Sequence, residues 1–310
     1  MENMKSPRLA YGEALAELGE KNEKVVALDA DLAHATQTAI FAERFKSRFF
    51  NVGIAEQNLM GVAAGLALSG FIPFASTFAI FGAGRAFEQI RNTICYPNAL
   101  NVKIVLTHAG ITVGEDGGSH QAVEDISLMR SLPGMTVLVP CDAIETKKAV
   151  FAASNIDGPV YIRIARPVAP IITNEDHNFE PGRANVMRKG SDVAIFATGL
   201  MVAKALEAAA ELEKEGISAS VVNVHTIKPL DAETVLKEAA RTKKVITVEE
   251  HSVIGGLGSA VAEILIENMP VRMKRIGISD VFGQSGTPDE LLEYYGLTGE
   301  NIIKAVKDIL

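Results

Sequence analysis

The sequence predicts an α/β fold made of two doubly wound domains, each built on a mostly parallel sheet that helices cover on both faces. Short apolar segments alternate with longer amphipathic segments, and the short segments are apolar at nearly every position. Strands buried on both faces have this pattern, whereas strands with one solvated face alternate polar and apolar residues. The chain also has 310 residues, more than one hydrophobic core usually organises, so two domains are expected.

The first domain is predicted from alternating strands and helices. Val25-Val-Ala-Leu-Asp29 is the first strand because branched apolar residues dominate it, and the small and apolar residues of Ile54–Ser69 then favour a helix. Each later strand is a short apolar run, and each later helix has apolar positions at helical spacing. These predicted strands cover residues 72–76, 102–107, 136–139 and 160–164, and these predicted helices cover residues 83–95, 122–130 and 143–154.

The alternation stops between residues 166 and 191. This stretch contains Pro167, Pro170, Pro181, Gly182 and Gly190 and has little periodicity, so it is predicted to connect two domains. We therefore predict a first domain over residues 1–166, a linker over residues 167–190 and a smaller second domain over residues 191–310. In the second domain we predict strands at residues 192–197, 218–224, 244–249 and 272–276, and helices at residues 201–215, from Asp231, after Gly258, and from Pro288 and Glu300.

Composition and charge argue against several classes of protein. The net charge of −8 does not suit a nucleic-acid surface, which is normally basic. Cys95 and Cys141 lack metal-ligand spacing and are expected to be small core residues in a reducing compartment. No run reaches the roughly 18 apolar residues of a membrane span, and the N-terminus lacks the apolar segment of a secretion signal. We expect a cytoplasmic protein with no nucleic-acid or membrane partner.

The segment Asn51-Val-Gly-Ile-Ala-Glu-Gln-Asn58 places one carboxylate, Glu56, at the start of an otherwise apolar helix. Burying a charge is costly unless a specific partner receives it, and a carboxylate in a dry pocket has a raised pKa that lets it move a proton near neutral pH. The small residues from Met60 to Ala67 allow another backbone or a flat ring to come close. Glu56 is the leading catalytic candidate. The alternative is a first-turn glutamate that the helix dipole favours.

A second polar segment, Thr107-His-Ala-Gly-Ile-Thr-Val-Gly-Glu-Asp-Gly-Gly-Ser-His-Gln121, lies between a predicted strand and a predicted helix. In open α/β sheets, ligands bind beyond the carboxyl ends of the strands. Glycines let the backbone approach a ligand, while His108, Asp116 and His120 offer charge, hydrogen bonds and proton transfer. We predict that this loop lines a ligand site. The alternative is a glycine-rich surface turn.

Three further features leave alternatives open. Phe78 and Phe81 either pack in the core or wall a ring-shaped ligand. Arg166, at the carboxyl end of a predicted strand, is either solvated or binds a phosphate or carboxylate. Ile254-Gly-Gly-Leu-Gly258 is predicted to be a tight turn into a helix rather than a phosphate loop, because the full dinucleotide spacing is missing. Two histidines that end strands are predicted to be structural: His225 and His251.

Taken together, these segments resemble transketolase. The family's order and separations are matched by the stretch around Glu56, by Thr77-Phe-x-x-Phe81, by Val113-Gly-Glu-Asp-Gly-x-x-His120 and by Arg130-Ser-Leu-Pro133. The resemblance covers essentially the whole chain, but only the pyrimidine-binding and C-terminal domains of a full-length transketolase. The Gly-Asp-Gly metal and diphosphate motif of the other half has no counterpart in this sequence. The chain is therefore similar to the C-terminal subunit of a split transketolase.

The resemblance implies thiamine diphosphate as the cofactor. At the matching positions, Glu56 is expected to hydrogen-bond the aminopyrimidine and to shuttle the proton that activates the thiazolium carbon. Phe78 and Phe81 are expected to wall the pyrimidine pocket. Ile54 is expected to help hold the cofactor bent, and Asp31 to lie near the thiazolium ring.

The resemblance also implies a set of substrate contacts. His120 is expected beside the reacting carbonyl, and Asp116 is expected to read a sugar hydroxyl. Arg8, His108 and Arg166 are expected to bind the sugar phosphate. The implied reaction moves a two-carbon ketol unit from a ketose phosphate to an aldose phosphate through a carbanion–enamine on the cofactor, as in the pentose phosphate pathway.

Because the resemblance covers only half of the family's full-length chain, the protein is expected to act only with an N-terminal subunit. That subunit would supply the ligands of Mg²⁺ or a similar divalent ion, and no metal ligand is expected here. The family's cofactor lies between subunits, so a self-dimer within a heterotetramer is expected. Three positions depart from the family pattern. Gly84 stands where a tyrosine is common, which thins the pyrimidine wall unless Arg85 or Phe87 compensates; Ala35 replaces a phosphate-contacting serine; and Ala55 stands where an arginine is frequent.

Two alternatives remain open. Deoxyxylulose-phosphate synthase and the beta chain of 2-oxoacid dehydrogenases share the domain, although Glu115-Asp-Gly and Arg130-Ser-Leu-Pro fit transketolase better. The other alternative is a non-catalytic partner built on a thiamine fold. The presence of Glu56 and His120 argues against it, because a scaffold has no use for a buried acid.

Overall fold

The computed structural model describes residues 4–97 and 99–310, which form two α/β units that are joined by buried hydrogen bonds. The prediction of two sheets, each mostly parallel and flanked by helices, is confirmed. Within these ranges, every helix is too short or too polar to cross a lipid bilayer. The two cysteines are buried and unpaired within the same ranges.

A seven-stranded sheet organises the N-terminal unit. In spatial order its strands are β12 (Thr226–Lys228), β6 (Thr136–Leu138), β7 (Val160–Ala165), β5 (Lys103–Ala109), β4 (Ile72–Phe78), β2 (Val25–Asp29) and β3 (Phe49–Asn51). Every residue of β2 and β5 is buried, as expected for central strands with helices on both faces. All neighbours run parallel except β12, which pairs with β6 antiparallel and comes from the C-terminal half of the sequence. The sequence analysis predicted no strand there.

A five-stranded sheet organises the C-terminal unit. In spatial order its strands are β14 (Arg272–Ile278), β13 (Lys244–Ser252), β10 (Val193–Ala197), β11 (Ala219–Asn223) and β9 (Asn185–Arg188). Only β9 is antiparallel to its neighbour among these strands. A separate pair, β1 (Met4–Lys5) with β8 (Ala169–Pro170), joins the N-terminal segment to the chain after β7. The division at residues 166 and 190 stays a prediction.

Helices connect these strands. Those of the N-terminal unit are α1 (Pro7–Lys21), α2 (Ala33–Thr36), α3 (Ala39–Arg44), α4 (Glu56–Leu68), α5 (Phe87–Gln89), α6 (Asp125–Arg130) and α7 (Ala143–Ser154). Those of the C-terminal unit are α8 (Met201–Lys214), α9 (Ala232–Thr242), α10 (Leu257–Asn268), α11 (Pro288–Tyr294) and α12 (Gly299–Ile309). The predicted helix over residues 143–154 is observed at those bounds, and Asp142 caps its first turn by accepting the N–H of Glu145 at 2.8 Å.

Several stretches of the N-terminal unit differ from the prediction. No element is predicted for α1, α2, α3 or β3. Ser6 caps α1 and Pro7 occupies its first position, and both are signals of a helix start. A Cβ on Gly12 would lie 2.4 Å from the carbonyl oxygen of Gln37, so this glycine permits close packing. The stretch over residues 83–95 is helical as predicted except at Ala86, but it is not one regular α-helix: two π-helical segments, Ile80–Arg85 and Ile90–Cys95, flank the short α5.

A buried polar network holds α6 between the two units. Arg163 Nε donates to Asp125 Oδ2 at 2.8 Å, and Arg163 Nη2 donates to the carbonyl oxygen of Glu250 at 2.9 Å. At the other end of α6, Arg130 forms an ion pair with Glu263 at 2.5 Å. The segment Arg130-Ser-Leu-Pro133 that the sequence analysis singled out therefore lies at the contact between the units.

Candidate active site

Glu56 is the first residue of α4, and 2% of the residue is exposed. Asn51 shapes the approach to it, because Asn51 Oδ1 accepts the N–H of Gly53 at 3.0 Å and Gly53 adopts a φ of 75°. Glu56 Oε1 accepts a hydrogen bond from Arg85 Nη1 at 2.8 Å. The carboxylate thus lies at a helix N-terminus, where the helix dipole favours negative charge, and has a cationic partner.

Arg85 connects Glu56 to the aromatic residues. Its guanidinium lies over the ring of Phe81, 4.8 Å from the centroid, and about half of the side chain, 51%, is exposed. Gly84 is exposed, and the nearest atom that its missing Cβ would meet is 3.7 Å away. Arg85 therefore contacts the wall beside the position where the family commonly has a tyrosine, as the departure at Gly84 led us to consider.

Four rings cluster at the carboxyl ends of β4 and β5. Phe78 and Phe81 stack with centroids 5.9 Å apart and planes 15° apart. The His108 ring stacks on Phe78 at 3.7 Å, and the His120 ring meets the edge of Phe81 at 5.2 Å. His108 has a φ of 57°, and its Nδ1 lies 2.8 Å from Thr107 Oγ1. Both histidines of the polar loop therefore lie against the predicted aromatic wall.

Arg8, Arg166 and His108 lie close enough to influence one another's charge. Arg8 Nε donates to the carbonyl oxygen of Arg166 at 2.9 Å, and Arg8 Nη1 donates to the carbonyl oxygen of Ala35 at 2.7 Å. Burial lowers the pKa of Arg8, and the charge of Arg166 lowers it further. Burial, followed by Arg8, Arg166 and His120, lowers the pKa of His108 to about 3. His108 is therefore neutral at physiological pH, and the two guanidiniums favour an anion between them.

Arg166 is tied to the turn that carries Asp116. Its Nη1 donates to the carbonyl oxygen of Val113 and lies 3.0 Å from Glu115 Oε2. Asp116 is exposed at the end of this turn, which spans Ile111–Asp116. The phosphate candidate Arg166 is thus bonded to the turn that carries the hydroxyl candidate Asp116.

Asp31 and Ile54 flank the approach to Glu56. Asp31 is exposed, has a φ of 64° and accepts a hydrogen bond from Asn51 Nδ2 at 3.0 Å. Asn51 therefore contacts both the Asp31 loop and the turn before Glu56. Ile54 lies on that turn and is 79% exposed, so its side chain is free to contact another molecule.

Asp29, which the sequence analysis passed over as the end of a strand, organises the loop that carries Asp31. Its Oδ1 accepts the N–H of Leu32 at 2.5 Å, and its Oδ2 accepts the hydroxyls of Thr36 and Thr38 at 2.7 and 2.9 Å. Burial raises the pKa of Asp29 to about 6 despite these donors. The sequence does contain a signal for this role. Asp29 is an acid at the carboxyl end of an apolar strand, and two threonines follow it closely.

The glycine-rich segment Ile254–Gly258 is filled by the chain's own carboxylate. Glu249 accepts the N–H groups of Leu257 and Gly258, each at 2.7 Å, which are the groups that would otherwise receive a phosphate. This agrees with the prediction of a tight turn into a helix. His225 and His251 are fully buried in the same unit, as expected for structural histidines.

A surface groove of about 890 Å³ lies in the C-terminal unit between α8, α11 and α12, and none of the predicted site residues lines it. Its negative charge opposes binding of a sugar phosphate. The carboxylates along it are Glu207, Glu211, Asp289, Glu293 and Glu300. The groove is therefore distinct from the cluster around Glu56.

The two units match two families of protein domain. Residues 4–170 match "Transketolase, pyrimidine binding domain", and residues 182–302 match "Transketolase, C-terminal domain". The fold and the clustered residues thus define a thiamine-dependent enzyme subunit. The chain belongs to the transketolase family and corresponds to the C-terminal half of its full-length members.

Similar proteins include both half-length and full-length chains. Over 307 residues the chain is 52% identical to a protein of Methanocaldococcus jannaschii named for the C-terminal section of transketolase, covering 98% of this chain and 96% of that protein. It is 46% identical over 302 residues to the 6-deoxy-6-sulfo-D-fructose transketolase subunit SqwH of Clostridium sp. (strain MSTE9), covering 97% and 94%. Against mouse transketolase it is 39% identical and covers 98% of this chain but 49% of that protein.

Solved structures agree with this relationship. A split gene transketolase, described as an inactive beta4 tetramer, superposes with a TM-score of 0.92 at 57% identity, covering 98% of each chain. The transketolase of Campylobacter jejuni superposes with a TM-score of 0.85 at 24% identity, covering 99% of this chain and 47% of that one. At that identity, the second comparison bears on the fold alone.

The residues around Glu56 fit the pyrimidine end of thiamine diphosphate. A buried carboxyl group can donate a hydrogen bond to a pyrimidine nitrogen, and its carboxylate can accept one when that nitrogen is protonated. The stacked Phe78 and Phe81 present aromatic surface to a flat ring. Across residues 4–97 and 99–310, no group of three or more His, Cys, Asp or Glu side chains is arranged to hold a metal ion.

Proposed function

We propose that this chain is the C-terminal subunit of a transketolase that moves a two-carbon ketol unit from a ketose phosphate to an aldose phosphate. One juxtaposition supports this most. The Phe78–Phe81 wall contacts Arg85, the partner of Glu56, on one side and His108, a neighbour of the cation pair, on the other. A proton-handling carboxylate and an anion site therefore share one aromatic wall.

Thiamine diphosphate, when bound, supplies the nucleophilic carbon and the electron sink of the reaction. The chain's own residues bind and orient it. The Glu56 carboxyl group would hold a proton at the aminopyrimidine and become a carboxylate when it passes that proton on, while Phe78 and Phe81 would contact the ring. Ile54 would help to hold the bound cofactor, and Asp31 would supply negative charge near the thiazolium ring.

The polar loop handles the sugar. His120 lies at the edge of Phe81 and is proposed to move a proton at the sugar oxygen that becomes the carbonyl, while the exposed Asp116 accepts a hydrogen bond from a hydroxyl. Arg8 and Arg166 bind the phosphate. His108 contributes hydrogen bonds without charge, because its pKa is lowered to about 3, chiefly by burial.

The two arginines do not restrict the anionic group of the sugar to a phosphate. Two guanidiniums bind a sulfonate by the same charge-assisted hydrogen bonds as a phosphate. The relative from Clostridium is named for a 6-deoxy-6-sulfo-D-fructose transketolase. A sulfonated ketose is therefore a second candidate donor, which can be tested with 6-deoxy-6-sulfofructose.

The chain is proposed to work with an N-terminal subunit that carries the diphosphate and Mg²⁺ ligands, and to pair with a second copy of itself in a heterotetramer. Helix α4 and the turn before it offer a face for self-association. Leu68 on the helix is 75% exposed, Ile54 on the turn is 79% exposed, and a Cβ on Gly61 or Gly65 would meet no atom within 4 Å. Such a face permits close approach of a second helix. The 57%-identical split gene transketolase is itself described as a beta4 tetramer.

Reconstitution tests this proposal. The chain is assayed for ketol transfer from fructose 6-phosphate to an aldose phosphate, alone and with a candidate N-terminal subunit, thiamine diphosphate and Mg²⁺. We expect activity only in the complete mixture. Turnover of 6-deoxy-6-sulfofructose in preference to the phosphate would assign the second donor, whereas turnover of pyruvate but no sugar would move the chain to the synthase or oxoacid alternative. Matched mixtures lacking one component serve as controls.

A further inference from the structure

The C-terminal unit reaches into the substrate side of the candidate site through one buried carboxylate. We propose that Glu250 is a positioning residue that fixes the turn Ile111–Asp116 and, through this turn, the grip of Arg166 on the anionic group of the sugar. This inference rests on the proposed function and assigns a role in it to a residue outside the pyrimidine-binding unit.

The contact between Glu250 and the backbone of the turn is short and buried, and it requires a glycine at position 110. The N–H of Thr112 donates to Glu250 Oε1 at 2.6 Å, and both residues are buried, with 1% and 3% exposed. A Cβ on Gly110 would lie 2.2 Å from the same oxygen, and Gly110 has a φ of 82°. Only glycine combines that backbone conformation with room for the carboxylate. The carboxylate therefore occupies a notch that the first turn of the loop leaves open for it.

The turn transmits this restraint to Arg166. The residue after Thr112 is Val113, whose carbonyl oxygen accepts from Arg166 Nη1. Arg166 also lies 3.0 Å from Glu115 Oε2 on the same turn. If the N–H of Thr112 loses its acceptor, the turn loses a restraint one residue before Val113. The Val113 carbonyl oxygen that accepts from Arg166 is then held less firmly, and the guanidinium is positioned less exactly.

His120, at the far end of the loop, has contacts that do not include Glu250. Its N–H donates to the carbonyl oxygen of Gly117 at 2.9 Å, and its Nδ1 lies 3.0 Å from Ser119 Oγ. The turn itself keeps two other contacts, because Gln121 Nε2 donates to the carbonyl oxygen of Ile111 at 3.1 Å and Ser285 Oγ donates to that of Glu115 at 2.7 Å. Loss of the Glu250 contact should therefore disturb the anion grip more than the position of His120.

Glu250 is itself held firmly. It lies on β13, and Arg163 Nη2 donates to its carbonyl oxygen at 2.9 Å while Arg163 Nε binds Asp125. Burial raises the pKa of the Glu250 carboxyl, and the nearby Arg163 charge opposes that rise. The carboxylate is thus a fixed acceptor rather than a flexible surface acid.

The preceding residue is a matched control. Glu249 is equally buried on the same strand, and its carboxylate accepts the N–H groups of Leu257 and Gly258 at the start of α10. It therefore stabilises the C-terminal unit through a different element. A purely structural role for Glu250 would make Glu250→Ala and Glu249→Ala behave alike.

The experiment compares Glu250→Ala, Glu250→Gln and Glu249→Ala in the reconstituted enzyme. We expect Glu250→Ala to raise the KM for a ketose phosphate about tenfold, the effect of one lost hydrogen bond to a charged group, with little change in kcat or in KM for the unphosphorylated ketose. Glu250→Gln, which keeps an acceptor oxygen, should restore most of the KM. Glu249→Ala should lower Tm and leave the KM ratio of the two donors unchanged. Equal KM ratios in the two alanine variants, or no rescue by Glu250→Gln, would overturn the proposal.

A second readout does not depend on turnover. Amide hydrogen exchange in the chain alone should be faster at Thr112 and its neighbours in Glu250→Ala but not in Glu249→Ala, and equal exchange at these amides would overturn the contact. If the wild-type mixture transfers no ketol unit, the proposed function fails. Fructose 6-phosphate binding to the chain with its candidate partner then replaces KM, and unchanged Kd in Glu250→Ala would overturn the positioning role.

Discussion

The two sides of the candidate site are built differently. On the substrate side, three residues hold the turn Ile111–Asp116 by hydrogen bonds: Glu250, Gln121 and Ser285. On the cofactor side, Glu56 is itself buried, but its partner Arg85 is half exposed and Ile54 is 79% exposed. The chain therefore preorganises the residues proposed to bind the sugar, and on the cofactor side it leaves Arg85 and Ile54 on a surface that another chain can cover.

The largest expected effect is on the cofactor side. Glu56→Ala should lower kcat of the reconstituted enzyme by about 10²–10⁴-fold, because it removes the proton-handling group. Little change in Tm is expected, since the carboxylate's partner Arg85 is already half solvated. Steady-state kinetics and thermal unfolding check both. Glu56→Gln, which keeps the shape but not the acid, is the control, and wild-type turnover in either variant would contradict the assignment.

The next effect tests the preorganised side. Arg166→Ala should raise the KM for a ketose phosphate by about 10- to 100-fold, because a charge-assisted contact to the anion is lost. The KM for the unphosphorylated ketose should change little. Arg183, which is exposed and paired with Glu233, supplies a control in Arg183→Ala. An equal loss for both donors would remove the phosphate role from Arg166.

A smaller effect is expected for substitutions on the exposed face of α4, which we propose for self-association of the chain. Gly61→Ala should raise the stability of the isolated chain by up to about 1 kcal/mol through helix propensity, because its Cβ would meet no atom within 4 Å. Gly61→Glu should weaken self-association through bulk and charge. Sedimentation equilibrium at several concentrations measures the association, and urea unfolding measures the stability. Unchanged association of Gly61→Glu would place the self-dimer on another surface.

The last effect concerns the pH dependence of stability on the substrate side, not the activity. His108 has a native pKa of about 3, depressed by burial and then by Arg8, Arg166 and His120, against roughly 6.5 when unfolded. Between these values the unfolded chain binds a proton that the native chain does not, so this contribution to stability is lost as pH falls from about 6.5 towards 3. His108→Asn should flatten the profile by up to about 1.4 kcal/mol per pH unit. Urea unfolding from pH 4.5 to 7, with wild type as reference, would contradict this if the slopes coincide.

Local patterns predicted the parts of the molecule that depend on neighbours in sequence. The helix predicted over residues 54–69 is observed as α4 (Glu56–Leu68), and α7 has the predicted bounds, because the apolar spacing that marks a helix is local. Helix α1 was not predicted although Ser6 and Pro7 mark its start, and the close contact of Gly12 with Gln37 becomes visible only when the chain is folded.

The connections between distant residues could not be predicted from such patterns. Arg85 lies 29 residues from Glu56 in sequence, and Glu250 lies 138 residues from Thr112. Nothing in the residues around Glu250 distinguishes it from Glu249, which serves a helix instead. The residues that touch a ligand are marked by local chemistry, whereas those that hold them in place are defined by three-dimensional contacts.

The antiparallel strand β12 limits how this protein can be truncated or combined with segments of other family members. Thr226–Lys228 lies well beyond the linker but forms the outermost strand of the first sheet, against β6. A fragment that stopped at residue 166 or 190 would expose the backbone of β6 as an open edge, which invites pairing with other molecules. The two units are therefore not interchangeable modules, and chimaeras with other family members should exchange the segment around β12 together with the N-terminal unit.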